Sequence, residues 1–264
     1  MPDDPLDDFT RGEFTHEGKT RAVHRKGDGP AVIVIAEIPG ITPAVADFAR
    51  RVADRGFTAV MPHLFGEPGA DHTAGRILST ISWACVSREF ATFATRATSP
   101  VTGWLRALAR DLHAELGGPG VGAVGMCLTG GFALAMMVDE AVMAPVLSQP
   151  SLPFPVGRRH RRDLGISDAD LEVVKRRASE GVDVVGLRFT CDRAVPAERF
   201  ERLRHELGDH FIGVEIDSSP GNEHDIPKGA HSVLTEHLVD EPGHPTRQAL
   251  DQVLDFFEER LLRG

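Results

Sequence analysis

Apolar runs of strand length alternate with amphipathic segments along most of the chain, and this alternation constrains the fold more than any other feature. Ala31–Ala36 is a continuous apolar run, which is typical of a strand covered on both faces. The segment after it begins at Pro43 and carries apolar side chains at helical spacing as far as Val52. Repeated units of this kind predict an α/β fold, namely a doubly wound, mostly parallel sheet with helices on both faces.

The same patterns predict the bounds of the individual elements. Strands are expected at Ala31–Ala36, Phe57–Met61, Val121–Met126, Ala141–Ser148, Val182–Thr190 and Phe211–Ile216, after an edge hairpin within Gly12–Lys26. Helices are expected after the N-cap residues Ser99 and Ser167, over Gly130–Val138 and Pro196–Leu207, and near the C-terminus. Two irregular stretches, Pro62–Thr98 and Gln149–Ile166, are expected as insertions or lids on a single domain that spans residues 1–264.

Composition excludes several classes of partner. Acidic residues outnumber basic ones by 39 to 29, and the net charge of -10 argues against binding to a nucleic-acid backbone. The longest apolar run is far shorter than the ~20 residues that a membrane span needs. The three cysteines lack CxxC spacing and the N-terminal segment is acidic, so we expect reduced thiols in a soluble, cytoplasmic protein.

Cys127 lies where a predicted strand runs through Gly-Met-Cys-Leu-Thr-Gly-Gly directly into a predicted helix. A turn this tight forces its central residue into a strained conformation and needs small residues where the two backbones meet. The helix N-terminus carries partial positive charge, which favours a nucleophilic thiolate at Cys127. The alternative is a buried cysteine that serves only as a small apolar residue.

A nucleophilic thiol needs a base, and in doubly wound hydrolases the orienting acid and then the histidine follow the nucleophile along the chain. Asp192 directly follows the strand Val182–Thr190, and His231 lies in the loop after the last strand. Parallel strands end at one edge of the sheet, so the three side chains are expected to converge there. Taken singly, Asp192 could be a helix cap and His231 a solvent-exposed residue.

Glu37 ends the first central strand, and a carboxylate after six apolar residues should face a polar partner because burying it alone is costly. The loop that it opens corresponds to the one that supplies the second donor of an oxyanion hole. The backbone N–H groups of Leu128 and Ile38 are the expected donors. The alternative for Glu37 is a surface carboxylate at a strand end.

Taken together, these segments resemble the dienelactone hydrolase family of the α/β-hydrolase fold. The resemblance extends over roughly residues 31–260 and is carried by Ala36–Gly40, Gly56–Phe65, Gly125–Leu128, Asp192 with Val195 and Pro196, and Gly229–Ser232. It implies a hydrolase that opens a small ester or lactone through an acyl-cysteine intermediate. Its implied roles make Cys127 the nucleophile, His231 the base, Asp192 the acid that orients it and Glu37 the group that helps to ionise the resting thiol. No cofactor or metal is expected.

The sequence also departs from the family pattern. Thr129 stands where the family has glycine, and could widen the turn or place a hydroxyl near the site. The loop Ser218–Lys228 before His231 is longer than usual, and Gln149–Ile166 is unlike the compact members. The arginines that bind a substrate carboxylate have candidates by location alone, namely Arg76, Arg88 and Arg193.

Three other functions were weighed. A serine hydrolase of this fold needs Gly-x-Ser-x-Gly, which the chain lacks. Metal catalysis would draw on His224, His231 and His237 or on His63 and His72, but their spacing matches no common ligand pattern. A non-catalytic or redox-sensing protein would use a readily oxidised Cys127, with Cys85 or Cys191 as a resolving thiol. Asp192 and His231 favour the enzyme, because a sensor needs the thiolate alone.

Overall fold

A single sheet runs through the computed structural model, which describes residues 2–71, 73, 75, 80 and 99–263. Its strands are β1 (Thr10–His16), β2 (Lys19–Lys26), β3 (Ala31–Ile35), β4 (Thr58–Pro62), β5 (Val121–Met126), β6 (Val142–Ser148), β7 (Val184–Phe189) and β8 (Phe211–Ile216). The strand order is β1-β2-β4-β3-β5-β6-β7-β8. The β1–β2 and β2–β4 pairs are antiparallel and the others are parallel, so the predicted edge hairpin and mostly parallel sheet are confirmed.

The described helices lie where the sequence predicts them, except the short helix Gly157–Arg161, which falls in the insertion predicted to be irregular. They are α1 (Pro43–Asp54), α2 (Pro100–Leu116), α3 (Gly130–Met136), α4 (Gly157–Arg161), α5 (Asp168–Ser179), α6 (Ala197–Leu207) and α7 (Pro245–Leu261). The expected N-caps are confirmed for α2 and α5. Ser99 accepts a hydrogen bond from the backbone N–H of Thr102, and Ser167 accepts one from that of Asp170.

Both faces of the sheet are covered by helices. The side chains of Ile33 and Ile35 join a buried cluster with α2, α3, α5 and α6. Those of Val32 and Val34 point the other way and join a second cluster with α1 and α7. Because successive side chains of a strand face opposite sides, a strand between two helical layers must be apolar throughout, as β3 is. The predicted doubly wound α/β fold is therefore confirmed.

The order of the strands opens a crevice at the centre of the sheet. β3 and β5 are hydrogen-bonded neighbours, with Ile35 opposite Gly125, although β4 and α2 intervene between them in sequence. Chain connections leave β3 and β5 in opposite directions across the sheet, and such a switch point is where open α/β sheets bind ligands. Glu37 and Cys127 each follow one of these two strands directly.

The second predicted insertion is more ordered than expected. Its basic run forms the short helix α4, and the segment is attached to α6 through Arg199, which is only 1% exposed. The guanidinium donates hydrogen bonds to the carbonyls of Pro150 and Pro153 (2.5 Å each), Asp163 (2.8 Å) and His160 (3.1 Å). Burial lowers the pKa of Arg199 to about 10. Sequence periodicity did not predict this attachment, because its four acceptors are backbone carbonyls.

Several expectations fall on the rest of the chain. Arg76, Arg88, Cys85, His72 and most of the insertion predicted at Pro62–Thr98 lie outside the described residues. Among the helices that are described, none combines the length and the apolar character that crossing a bilayer requires.

Candidate active site

Cys127 lies on the strained turn that the sequence predicts. Its φ is 56°, in the left-handed region that residues with a side chain rarely adopt. The turn is tight enough to require glycine on both sides. A Cβ atom at Gly125 would lie 2.1 Å from the carbonyl oxygen of Thr129, and one at Gly130 would lie 2.5 Å from the Cα of Pro150. The close approach of these backbones brings Cys127 to the end of β5, at the mouth of the crevice.

Thr129, where the family pattern has glycine, is part of the turn itself. Its side chain is fully buried, and its hydroxyl accepts a hydrogen bond from the backbone N–H of Met126 at 2.9 Å. The same oxygen lies 2.9 Å from the carbonyl of Ile35, to which it can donate. Thr129 therefore links the turn around Cys127 to the end of β3, and its hydroxyl is used within the fold.

His231 and Asp192 meet at the same edge of the sheet. The Nδ1 atom of His231 lies 2.6 Å from Oδ2 of Asp192, and the imidazole is close enough to Cys127 for the two side chains to interact. Burial of the imidazole opposes its protonation, but the hydrogen bonds with Asp192 and Cys127 prevail and raise the pKa of His231 to about 11. The arrangement favours the imidazolium form of His231 next to Cys127.

The loop that carries Asp192 is fixed by a buried arginine on β7. Arg188 donates from Nε to the carbonyl of Val195 at 3.0 Å and from Nη2 to that of Thr190 at 2.9 Å, and it pairs with Glu215. Asp192 also accepts a hydrogen bond from the backbone N–H of Ala194 at 2.9 Å through its second oxygen. Both oxygens of the carboxylate thus have partners, and its orientation toward His231 is set by the backbone around it.

Glu37 is 2% exposed and is surrounded by donors, as its position after an apolar strand predicts. Its Oε2 accepts hydrogen bonds from Ser232 Oγ at 2.6 Å and from Gln149 Nε2 at 3.2 Å, and its Oε1 accepts one from Thr235. These hydrogen bonds join Glu37 to three side chains other than Cys127, and its expected part in ionising the thiol stays a prediction. A buried carboxylate needs several donors, and these three side chains supply them.

Gln149 connects the Glu37 cluster to the backbone of the histidine loop. This residue follows β6 directly, is fully buried and has a φ of 36°. Its Oε1 accepts a hydrogen bond from the backbone N–H of Val233 at 3.3 Å and one from the hydroxyl of Ser148. No sequence pattern predicted that Gln149, Ser232 and Thr235 would belong to the site. The available signal was position alone, since Gln149 ends a parallel strand at the same edge and Ser232 follows His231.

Ser151 is a further neighbour of Cys127, and no sequence pattern predicted it. Its Oγ lies 3.4 Å from the Sγ of Cys127, and its backbone N–H donates to the carbonyl of Cys127 at 3.0 Å. Ser151 is thus the hydrogen-bond partner of the sulfur among the described residues, His231 also interacts with it, and Cys127 packs against the apolar cluster that contains Leu128.

The two expected oxyanion donors lie on the adjoining turns. Ile38 follows Glu37 after β3, Leu128 follows Cys127 after β5, and both side chains are buried in the same apolar cluster. Neither N–H donates to another described residue in the loops and turns around the site. Leu128 lies in the first turn of a short 3₁₀ segment, Cys127–Thr129, where backbone N–H groups have no partner within the helix.

A cleft of about 430 Å³ opens beside Asp192. It is lined by Cys191, Asp192, Arg193, Ala194, Lys228 and Gly229. Arg193, one of the arginines proposed for a substrate carboxylate, therefore lies next to the site, and Lys228 adds a second positive charge. Cys191 donates its backbone N–H to Ser218 at 3.1 Å.

The histidines weighed as metal ligands have separate environments. His63 contacts the carbonyl of Gly66 at 3.0 Å, and the ring of His224 packs against that of His244. His237 accepts a hydrogen bond from the backbone N–H of Ser232 at 3.2 Å. In the described part of the chain, no three His, Cys, Asp or Glu side chains are grouped to hold a metal ion.

Comparison with solved structures identifies the fold. A dienelactone hydrolase from Anabaena variabilis aligns with a TM-score of 0.61 and 15% identity, covering 96% of this chain and 98% of its own. A dienelactone hydrolase-like promiscuous phosphotriesterase from metagenomic libraries aligns with a TM-score of 0.64 and 18% identity, covering 96% and 98%. At these identities the likeness shows the fold alone, which is that of the α/β-hydrolases.

Sequence comparison extends the likeness to the family. A Saccharomyces cerevisiae protein named "Putative carboxymethylenebutenolidase" is 26% identical over 193 residues, which are 69% of this chain. The match spans 64% of that relative's length. A sequence model of the dienelactone hydrolase family matches residues 19–261, which include every residue of the site described above. The chain therefore belongs to the dienelactone hydrolase family.

Proposed function

We propose that the protein is a cysteine-dependent hydrolase of small esters or lactones that works through an acyl-cysteine intermediate. The observation that carries this proposal is the geometry of one side chain. His231 contacts Cys127 on one side and lies 2.6 Å from Asp192 on the other, and Cys127 sits on a strained turn at the crevice. A nucleophile, a base and an orienting acid in contact form a nucleophilic triad.

In the first half of the reaction, the Cys127 thiolate attacks the carbonyl carbon and a carbon–sulfur bond forms. The electron pair of the carbonyl moves to oxygen, and the N–H groups of Ile38 and Leu128 stabilise that oxyanion. When the intermediate collapses, the bond to the leaving oxygen breaks and the His231 imidazolium donates its proton to that oxygen. The products are an alcohol, or the opened end of a lactone, and an acyl-cysteine.

In the second half, His231 accepts a proton from water, and the water oxygen attacks the acyl carbon. The carbon–sulfur bond then breaks, its electron pair returns to sulfur, and the carboxylic acid leaves while His231 is again protonated. Every proton is carried by His231 or by water. A thiolate attacks amides poorly unless the leaving nitrogen is strongly protonated, so esters and lactones are the expected substrates.

Glu37 is assigned a positioning role in this scheme. It is bound to Ser232, the neighbour of His231, and it immediately precedes the oxyanion donor Ile38. Its carboxylate therefore links the loop of the base to the loop of the oxyanion hole. A direct part in ionising Cys127 would require Glu37 to leave three hydrogen-bond donors. We also propose that residues 1–264 form one domain, since both clusters of buried side chains draw on the same sheet.

The experiment that tests this function compares the hydrolysis of a small aryl ester and of an unsaturated lactone by the wild type and by Cys127→Ala. We expect kcat/KM to fall at least about 10³-fold, as for loss of the nucleophile in a triad. Cys191→Ala is the matched control, because it removes a thiol from the same edge of the sheet without removing a contact of His231. Wild-type rates in Cys127→Ala would contradict the proposal.

A further inference from the structure

The hydroxyl of Ser151 has one hydrogen-bond partner in the part of the chain that the structure describes, and that partner is the sulfur of Cys127. The side chain is buried, with the residue 2% exposed, so water has little access to satisfy it. Buried hydroxyls in folded proteins almost always find a partner. The backbone N–H of Ser151 already donates to the carbonyl of Cys127, so the hydroxyl is not needed to fix the main chain.

The segment that presents this hydroxyl is held rigidly. Its preceding residue, Pro150, accepts a hydrogen bond from the buried guanidinium of Arg199 at 2.5 Å. The same guanidinium bonds the carbonyls of Pro153 and Asp163 farther along the segment. Arg199 lies in α6, a helix that packs in the core through Phe200 and Leu203. The position of the Ser151 hydroxyl relative to the sulfur is thus set by the protein interior.

We propose that Ser151 is a further catalytic residue, whose hydroxyl donates a hydrogen bond to the sulfur of Cys127 whenever that sulfur carries negative charge. The proposal rests on the function assigned above to Cys127. Two donors then face the thiolate, the imidazolium of His231 and the hydroxyl of Ser151, and together they fix the direction in which the sulfur points. A hydrogen bond to a charged group is stronger than one to a neutral group, so the contact favours the thiolate over the thiol.

The same contact assists the second half of the reaction. When the acyl-cysteine is hydrolysed, the carbon–sulfur bond breaks and its electron pair returns to sulfur. The Ser151 hydroxyl is already placed to stabilise that charge. Loss of the hydroxyl should therefore slow the departure of the thiolate, and the acyl-enzyme should persist for longer.

Other titratable groups face this site and remain unchanged in the test. His231 interacts with the sulfur and is paired with Asp192, and Glu37 is bound to Ser232, Gln149 and Thr235. If these groups keep their positions in a Ser151 variant, a change in the pH dependence of Cys127 alkylation is caused by the loss of the Ser151 hydroxyl. A matched serine elsewhere is needed as the control.

The test measures the pH dependence of Cys127 alkylation by iodoacetamide, with the modified peptide identified by mass. In Ser151→Ala we expect the midpoint of the alkylation curve to rise by about one pH unit, which corresponds to the loss of one hydrogen bond to a charged group. Ser99→Ala is the control, since Ser99 is also 2% exposed but its hydroxyl caps α2 by bonding Thr102 and makes no hydrogen bond with the sulfur. It should leave the midpoint unchanged. An unshifted midpoint in Ser151→Ala overturns the proposal.

A second pair of variants separates the loss of the hydroxyl from a change in packing around residue 151. Threonine and valine have nearly the same shape and differ in the hydroxyl, so Ser151→Thr should keep the wild-type midpoint and Ser151→Val should raise it. Equal midpoints in this pair would contradict the proposal. Alkylation needs no ester turnover. A wild type that alkylates as expected but hydrolyses nothing would refute the assigned function and leave the Ser151 contact standing. Normal turnover with unshifted midpoints would refute Ser151 alone.

Discussion

Replacement of Arg199 by methionine should loosen the segment that carries Ser151 and destabilise the whole domain. The guanidinium bonds four carbonyls, and three of these bonds, to Pro150, Pro153 and Asp163, are fully buried. Methionine keeps the aliphatic part of the side chain but donates to none of them. A buried acceptor left without a partner costs about 1–3 kcal/mol. The carbonyl of His160 is only partly buried, so water can replace the lost donor there.

The loss of three buried partners gives an expected decrease of about 3–5 kcal/mol in the free energy of unfolding, since the freed segment can relax toward water. Urea unfolding followed by circular dichroism measures it. Arg202→Met is the matched control on the same helix. Its single carbonyl contact, with Arg162 at 3.3 Å, is exposed, so we expect a change below about 1 kcal/mol. Arg199→Lys should fall between the two, because an ammonium cannot reach all four carbonyls.

Trypsin provides an independent readout of the same variant. The segment held by Arg199 includes the exposed arginines of α4, among them Arg158 and Arg159. We expect Arg199→Met to be cleaved there under conditions in which the wild type and Arg202→Met stay intact, because local opening exposes the backbone to protease. A loss of stability below about 1 kcal/mol with no new cleavage would refute the view that Arg199 holds this segment in place.

Three further predictions concern the site itself. Glu37→Gln presents an amide N–H group to three donors, so urea unfolding should show a loss of about 1–3 kcal/mol; an unchanged midpoint would mean that the donors do not depend on the carboxylate. Thr129→Val removes the acceptor of the buried Met126 N–H and should cost about 1–3 kcal/mol in the same assay, whereas wild-type stability would show that the turn does not need this hydroxyl. Although burial opposes it, hydrogen bonding with Asp192 and Cys127 raises the pKa of His231 to about 11, so the imidazolium persists below that value and is lost as the pH rises through it. The ring nitrogen signals of His231 in NMR spectra should therefore remain those of an imidazolium between about pH 6 and about pH 9, and a titration within this interval, as for an ordinary histidine of pKa about 6.5, would contradict the hydrogen bonding with Asp192.

The elements that could be predicted from the sequence are those whose pattern lies within a short stretch of the chain. The apolar run at Ala31–Ala36, the N-cap Ser99 and the turn around Cys127 can each be read within a few residues, and each is found where it was expected. Chain order predicted that Asp192 and His231 lie near Cys127, because both follow strands that must end at one edge of the sheet.

The residues that sequence did not predict are held by partners distant in the chain. Glu37 bonds Gln149, Ser232 and Thr235 across 112, 195 and 198 positions of sequence. Such pairings leave no periodic pattern, because a buried carboxylate can be satisfied by any donor that the fold brings near. Arg199 escaped prediction for a related reason, since a basic residue on an amphipathic helix is usually solvent-exposed.

The central claim, that Cys127 carries the acyl group, is tested most directly by intact-mass measurement after rapid mixing with an aryl ester. We predict a transient mass increase equal to the acyl group on the wild type, mapped by peptide digestion to Cys127, and its absence from Cys127→Ala. Asp192→Asn should form the adduct more slowly, because His231 loses the partner that orients it. Turnover of the ester with no adduct on Cys127, or an adduct that maps to another residue, would contradict the proposed mechanism.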